Sequence, residues 1–341
     1  MTMCEDLKLS NYDYFLPKEL IATHPAQPKE AARLLIYERE KDKITHSTFA
    51  NLEQFLPDCA IFFNDTKVIK ARIYGKKESG GKIELFLHSS VSECEFNAQI
   101  RGRVKKGEIL HFKEGLSAEI LELYADGLRK VCFKQDENLL NTPKLYALLE
   151  KIGHIPLPPY IKRADTLKDT QDYQSIFAKN LGAVAAPTAS LHFSKAMLES
   201  LKKRHEIHTI TLHIGAGTFK SVECEDIREH QMHSEFFHIN EAAKACIDSK
   251  KAILGVGTTA TRSIEHYVRT GLCSGACDLF LHPFNKPLRQ NFLLTNFHLP
   301  KSTLIMLVSS FIGREKTLAL YKEAVSLRYR FYSYGDAMLI L

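Results

Sequence analysis

The sequence predicts a mixed α/β main domain interrupted by an inserted all-β barrel domain. Three observations predict it. Residues 64–150 hold short runs rich in β-branched and aromatic residues, parted by Gly-Gly, Lys-Gly, Glu-Gly and Asp-Gly turns, the texture of a small barrel or sandwich. Residues 151–341 alternate strand and helix signals, as an α/β layer does. The opening stretch has too few apolar pieces to close a core, so 1–63 joins 151–341 as one discontinuous α/β domain around the 64–150 insert.

In chain order, Leu34 to Glu38 reads as a strand and Phe49 to Leu56 as a helix capped by Thr48. The insert follows with runs such as VIKARIYG, KIELFLH, EFNAQI, EILHF, SAEILEL and KVCF. GHIPLPPYIKR, with three prolines in four residues, can be neither helix nor central strand and reads as a stiff connector. Ser194 caps the helix SKAMLESLKKR, and the strand IHTITLHI follows. Asn240 caps NEAAKACIDSK, then comes the strand KAILGVG and the helix TRSIEHYVRT. CDLFLHP and FLLTNF read as strands, and Ser302 or Thr303 caps a helix that is apolar all round. REKTLALYKEAVSLR is a last helix before the terminal YRFYSYGDAMLIL.

Hydrophobic content of 45% and charged content of 25% are those of a globular protein. No apolar run approaches the ~20 residues of a membrane helix, and the acidic N-terminus lacks a signal-peptide layout, so a cytoplasmic location is expected. Eight scattered cysteines form no C-x-x-C pair and are expected to be reduced. From Lys67 to Glu114, eleven Lys/Arg stand against six Glu, a surplus of five in a chain whose formal net charge is +6. Such a local basic region is a footprint for a polyanion such as RNA; a solvated surface gives the same pattern.

Several constellations can carry chemistry. In TNFHLPKSTLIMLVSSF, Asn296, His298 and Lys301 stand on a buried helix whose first turn suits an anion. His213 ends a strand beside Gly215 to Thr218, where backbone can approach a ligand; a half-buried sheet histidine is the plainer alternative. EHQMHSE brings His230, His233 and Glu235 within six residues. That spacing fits a proton-transferring His/Glu pair better than a metal site, and no metal is expected. Gly255 to Ala260 matches G-x-G-x-x-A between a strand and a helix, but only one such unit appears, so a dinucleotide site is discounted. Its physics transfers: Thr258, Thr259 and Arg262 make an anion cradle, against simple helix capping. GAVAAPTASLHF permits close backbone approach or tight packing. NDTKVIKAR sets Lys67, Lys70 and Arg72 at the domain border, and Tyr329 to Tyr334 clusters four aromatics suited to stacking or to a core.

Taken in order, NDTKVIKAR, GHIPLPPYIKR, GAVAAPTASLHF, TLHIGAGTF, EHQMHSE, GVGTTATRSIE, TNFHLPKSTLIMLVSSF and YRFYSYGDAMLI resemble one family. It is the S-adenosylmethionine:tRNA ribosyltransferase-isomerases of queuosine biosynthesis. Lys70 stands where that family often has Pro, and Ser190 where it often has Gly. The resemblance implies an α/β domain with an inserted β-barrel. It also implies transfer and isomerisation of the ribosyl group of S-adenosylmethionine, the only co-substrate, onto 7-aminomethyl-7-deazaguanine at the wobble position of tRNA. Epoxyqueuosine-tRNA, adenine and methionine are the implied products.

That chemistry needs groups to remove a C5′ proton, to help adenine leave and to deprotonate the aminomethyl nitrogen. His213, His233, Glu235 and His298 are the candidates, with no role assigned to any one of them. Thr258, Thr259 and Arg262, or Lys301 and Ser302, with Tyr160, are the candidates to hold S-adenosylmethionine. Lys67, Arg72, Arg101, Arg103, Lys105 and Lys106 are the candidates for tRNA phosphates. A non-catalytic RNA-binding module and a nucleotide-dependent oxidoreductase are the alternatives from other classes.

Overall fold

The computed structural model describes residues 4–219 and 222–341, with only the backbone at Thr218 and Phe219, so the first three residues of the acidic N-terminus and the side chain of Thr218 in the expected loop lie outside it. A nine-stranded sheet forms the body, its strands in the order Ser274–Cys277, Glu235–Ile239, Ile207–Leu212, Ala60–Asn64, Ile253–Val256, Phe292–Asn296, Ala337–Ile340, Arg33–Glu38 and Lys43–Thr48. Its first members are β1 (Arg33–Glu38) and β2 (Lys43–Thr48), an antiparallel hairpin. The helix expected over Phe49 to Leu56 shrinks to a 3-10 turn, Phe49–Asn51, and the four residues of α1 (Leu52–Phe55). Thr48 makes no side-chain cap there, and the segment is held by Phe49 and Leu52 in the core.

Next comes β3 (Ala60–Asn64), buried at every residue, as a strand covered on both faces must be. β4 (Thr66–Val68) then carries the chain out of the body. The barrel consists of β5 (Arg72–Lys77), β6 (Lys82–Ser90), β7 (Glu95–Arg101), β8 (Ile109–His111), β9 (Leu116–Leu123) and β10 (Leu128–Gln135), with β11 (Asn138–Leu139) appended to β10. All its pairings are antiparallel, and β9–β10 closes the ring, so no long edge is left to aggregate. The alternating burial of β6 and β9 puts Ile83, Leu85, Leu87, Leu116, Ala118 and Ile120 inside.

A helix that sequence reading overlooked, α2 (Thr142–Ile152), packs Leu145, Leu148 and Leu149 into the same core. Asn141 caps it and Pro143 sits in its first turn, both ordinary start signals. The proline connector then runs without helix or strand to α3 (Asp169–Asp172), and β12 (Asn180–Ala183) pairs in parallel with β4.

From there strands and helices are mixed, in the order α4 (Lys195–Leu201), β13 (Ile207–Leu212), β14 (Glu235–Ile239), α5 (Glu241–Asp248), β15 (Ile253–Val256), α6 (Gly257–Thr270), β16 (Ser274–Cys277), β17 (Phe292–Asn296), α7 (Thr303–Ile312), α8 (Arg314–Ser326) and β18 (Ala337–Ile340). Ser194, Asn240 and Ser302 cap α4, α5 and α7 as expected. CDLFLHP is not a strand. Only its first residue belongs to β16, and Arg262 ties down the carbonyls of Cys277 and Leu279 instead. Helices α5 to α8 cover one face of the sheet, and α1 and α4 the other. No helix among the described residues is long and apolar enough to cross a membrane.

Asn64 ends β3 and binds the neighbouring elements together. Its Nδ2 donates to the Leu212 carbonyl at 2.9 Å and to Thr259 Oγ1 at 3.1 Å. Its Oδ1 accepts from the N–H groups of Thr66 (3.0 Å) and Leu212 (3.1 Å). Asn64→Ala strands several buried groups at once, so denaturant unfolding is expected to show a loss of about 2–4 kcal/mol; a change below about 1 kcal/mol contradicts this role.

Candidate active site

The parallel run β13, β3, β15, β17 brings four carboxyl ends to one edge of the sheet, where α/β folds bind ligands. The chain beyond each end supplies a wall. Ile214 follows β13, Gly257 to Thr259 open α6 directly after β15, and Asn296, His298 and Ser302 lie at and beyond the end of β17. With Ala185 to Ala189, Tyr173, Tyr332 and Ser333 they surround an inner pocket of about 80 Å³.

No side chain lining it is charged at neutral pH. Burial pushes His298 down to about 3, so its imidazole is neutral. Its Nε2 lies 2.9 Å from Thr295 Oγ1, its N–H donates to the Tyr321 hydroxyl at 3.2 Å, and its carbonyl accepts from the Tyr14 hydroxyl. Asn296 Oδ1 accepts from the Thr188 hydroxyl at 3.0 Å, and its Nδ2 faces His192 Nε2 at 3.1 Å. Burial, aided by the charge of Arg330, also holds His192 at about 3. Positive potential in this pocket therefore comes from backbone. Ser302 accepts from the Ile305 N–H and caps α7, whereas α6 begins after Val256 with no side-chain cap. The first-turn N–H groups of α6 stand at the rim of the pocket at the positive end of a fourteen-residue helix.

A second and larger cavity, about 690 Å³, opens between barrel and body. Arg72, Glu84, Phe86, Gln99 and Arg101 line it from the barrel and Pro156, Leu157 and Pro159 from the connector. Gly215 to Gly217, His233 and Ser234 line it from the body. Ile214 lines the inner pocket and Gly215 this groove, so neighbouring residues of one loop face the two cavities.

Glu235 holds that loop. The side chain is almost wholly buried; Oε1 accepts from the Gly215 N–H at 2.8 Å and Oε2 pairs with Arg262. Burial raises its pKa, but the Arg262 charge and the contacts to His233 and Gly215 outweigh it and hold the carboxyl below the usual range. His233 Nε2 lies 3.3 Å from Glu235 Oε1 without meeting hydrogen-bond geometry, which leaves that nitrogen unsatisfied beside the groove. Gly217 lets the ring in: a Cβ there would sit 2.5 Å from His233 Cγ.

The expected single pocket is thus two cavities. Thr258, Thr259, Ser302 and His298 line the inner one; His233, Arg72 and Arg101 line the groove. His213 lines neither. Its Nδ1 lies 2.7 Å from Thr66 Oγ1, and its ring stacks on Phe236 and lies where a Cβ on Gly182 (φ 153°) would meet it at 2.8 Å. Arg262 is not open to a ligand carboxylate: besides Glu235 it donates to the carbonyls of Leu279 (3.0 Å) and Cys277 (3.1 Å). Lys301 is turned outward, 2.6 Å from Asp13. Tyr160 packs against Tyr332 with the ring planes tilted by 49° and bonds Ser333, and so stands behind the inner pocket.

Arg72 faces Glu84 across 3.2 Å, and Lys67 lies on β4, away from both cavities. Arg103, Lys105 and Lys106 are exposed on the loop between β7 and β8. Tyr173, which no motif marks, lines the inner pocket. Among the described residues one group, Glu206, His208 and Cys246, has metal-ligand spacing, at the opposite end of β13 from the pockets.

Two outcomes follow from these environments. Glu235→Ala leaves Arg262 buried without its partner and is expected to cost about 3–5 kcal/mol in urea unfolding; a loss under about 1 kcal/mol would contradict it. His192 and His298 titrate near 3 in the folded chain and near ~6.5 when unfolded, so the unfolded chain alone takes up protons as pH falls. Their contribution is complete above ~6.5 and shrinks toward pH 3, by roughly 2 kcal/mol per histidine between 6.5 and 5. Urea midpoints at pH 7 and 5 read this, and His298→Asn should reduce the difference.

The chain matches the model of the queuosine biosynthesis protein family over residues 9–340. It is 69% identical to the S-adenosylmethionine:tRNA ribosyltransferase-isomerase of Campylobacter jejuni serotype O:23/36, covering 99% of this chain and all of that one. To the enzyme of the same name from Campylobacter fetus it is 62% identical over the same shares. The crystal structure of S-adenosylmethionine tRNA ribosyltransferase from Thermotoga maritima is 31% identical, with a TM-score of 0.54 over 97% of this chain and 100% of that one. With a family match over nearly its whole length and the same architecture, the chain belongs to the queuosine biosynthesis family of S-adenosylmethionine:tRNA ribosyltransferase-isomerases, a family of transferases.

Proposed function

We propose that this chain moves the ribosyl group of S-adenosylmethionine onto 7-aminomethyl-7-deazaguanine at the tRNA wobble position and isomerises it there. Epoxyqueuosine-tRNA forms and adenine and methionine leave. One observation carries the reading: an uncharged inner pocket and a larger groove between barrel and body are lined by adjacent residues of one loop, Ile214 and Gly215. We place S-adenosylmethionine at the inner pocket, its carboxylate toward the uncapped end of α6 at Thr258 and Thr259, with Ser302 beside it. The target base fits the groove, with the tRNA backbone along Arg101, Arg103, Lys105 and Lys106. The work is done in the cytoplasm, without a metal.

The sulfonium makes the C5′ proton acidic, and a base must face it from the groove side. We assign that task to His233, which lines the groove, with Glu235, 3.3 Å from its Nε2, as its positioning residue. His298, neutral and bonded to Thr295, serves as a hydrogen-bonding wall of the nucleoside pocket. His213 and Arg262 are assigned to the frame, and Lys301 to the surface.

The direct test is incubation with S-adenosylmethionine and tRNA carrying the aminomethyl base, reading adenine release. Release in step with loss of that base is expected, and its absence refutes the reading. His233→Gln should slow single turnover by on the order of 100-fold or more with S-adenosylmethionine affinity kept; a rate close to that of the parent enzyme removes His233 from the role. Lys105→Ala with Lys106→Ala should weaken tRNA binding and flatten its log–log salt dependence by about 0.7–0.9 for each phosphate no longer neutralised; an unchanged slope would place the tRNA elsewhere.

A further inference from the structure

Tyr173 is buried to 1% exposure, lines the inner pocket, and yet its hydroxyl has no hydrogen-bond partner. The Ala186 backbone and the Ser333 side chain are its polar neighbours, but neither meets the distance and angle of a hydrogen bond. Its ring is fixed: it packs edge-on against Tyr334 at 5.9 Å and shares a core with Leu157, Ile161, Ala186 and Leu191. The hydroxyl therefore cannot escape to water by a rotamer change without breaking that cluster. A buried, unpaired phenol is destabilising, a cost that a ligand acceptor removes on binding. Most other polar side chains lining this pocket have a partner within the protein: Thr188 with Asn296, Thr259 with Asn64, Thr295 with His298, Ser302 with Ile305, Ser333 with Tyr160.

We propose that Tyr173 is a substrate-binding residue, donating its hydroxyl hydrogen to an acceptor atom of S-adenosylmethionine in the inner pocket. The proposal rests on the placement of S-adenosylmethionine there and adds a residue to it. The donor is supplied by a group already desolvated in the empty protein, so binding it brings little new desolvation on the protein side. Since the ring is anchored by Tyr334 and Leu157, the hydroxyl also fixes the depth to which the ligand enters.

Removing the oxygen while keeping the ring gives opposite signs with and without ligand. Tyr173→Phe should leave the ligand-free melting temperature unchanged or raise it, because an unpaired polar atom is taken out of the core. The same variant should bind S-adenosylmethionine about three- to tenfold more weakly, with tRNA affinity unchanged. Calorimetric titration uses the full chain saturated with tRNA bearing guanine at the wobble position, which lacks the aminomethyl nucleophile. Methionine and adenosine as separate probes then report which end of the ligand Tyr173 meets: the weakening falls on one of them.

Equal S-adenosylmethionine affinities for the two proteins overturn the role of Tyr173 and leave the placement of S-adenosylmethionine standing. A ligand-free variant that melts several degrees lower assigns the phenol to the frame and overturns the role as well. If the unsubstituted chain itself fails to bind S-adenosylmethionine, the placement falls and takes Tyr173 with it.

Discussion

The Glu235–Arg262 ion pair is the constraint on which the two-cavity arrangement depends. It joins the start of β14 to the second turn of α6, and through the Gly215 N–H it fixes the loop that faces both the inner pocket and the groove. Arg262 in turn holds the carbonyls of Cys277 and Leu279, so the chain that leaves β16 is anchored to the same guanidinium. A buried pair of this kind adds little net stability over an apolar replacement. What it does here is positional. Three elements far apart in sequence meet at one carboxylate, and His233 lies against the same oxygen that receives Gly215. Any shift in that loop must therefore move the histidine too.

Much of this architecture was legible in the sequence, and the reasons differ by element. The barrel announced itself because closed antiparallel strands alternate inside and outside, as β6 and β9 do, and because Gly-containing turns separate them. The caps of α4, α5 and α7 were legible because Ser or Asn side chains do the capping. The helix expected over Phe49 to Leu56 shortened because its apolar residues serve a core contact rather than a helical face. CDLFLHP has the composition of a strand, but its carbonyls are taken by Arg262. Spacing along the chain cannot show such a partner.

Motifs placed residues near the site without saying which atoms were free. His213 and Arg262 carry the right chemistry and stand within reach of the cavities, yet both are consumed by neighbours: Thr66 and Phe236 in one case, Glu235 and two carbonyls in the other. Tyr173 shows the converse. It lies in a stretch with no motif, and only the packing of residues distant in sequence isolates its hydroxyl at the pocket wall. Availability of a polar atom is a property of the folded surroundings. Residue type and order along the chain bound it only loosely.

The charges are segregated in a way that suits two dissimilar ligands. Exposed Arg and Lys lie on the barrel rim, where solvent screening makes contact with a polyanion strong at low salt and reversible. The inner pocket has no charged side chain and relies on the α6 N-terminus and neutral hydrogen-bonding groups. Those dipoles are fixed by the backbone and need no counter-ion to be stripped before a ligand enters. The join between the two regions is polar and buried. Asp65 Oδ1 accepts from Thr211 Oγ1 at 2.7 Å and from Asn180 Nδ2 at 3.0 Å, which stitches β13 and β12 to the strand ends from which the barrel departs. β4 and β12, the outgoing and returning segments, pair beside that stitch, and Arg72 bridges to His154 where the connector begins. Since the barrel is mounted on the body through these short pairings, the width of the groove is set where the chain leaves and re-enters the sheet. The same few residues, Asn64 and Asp65, therefore fix both the floor of the inner pocket and the attachment of the barrel to the body.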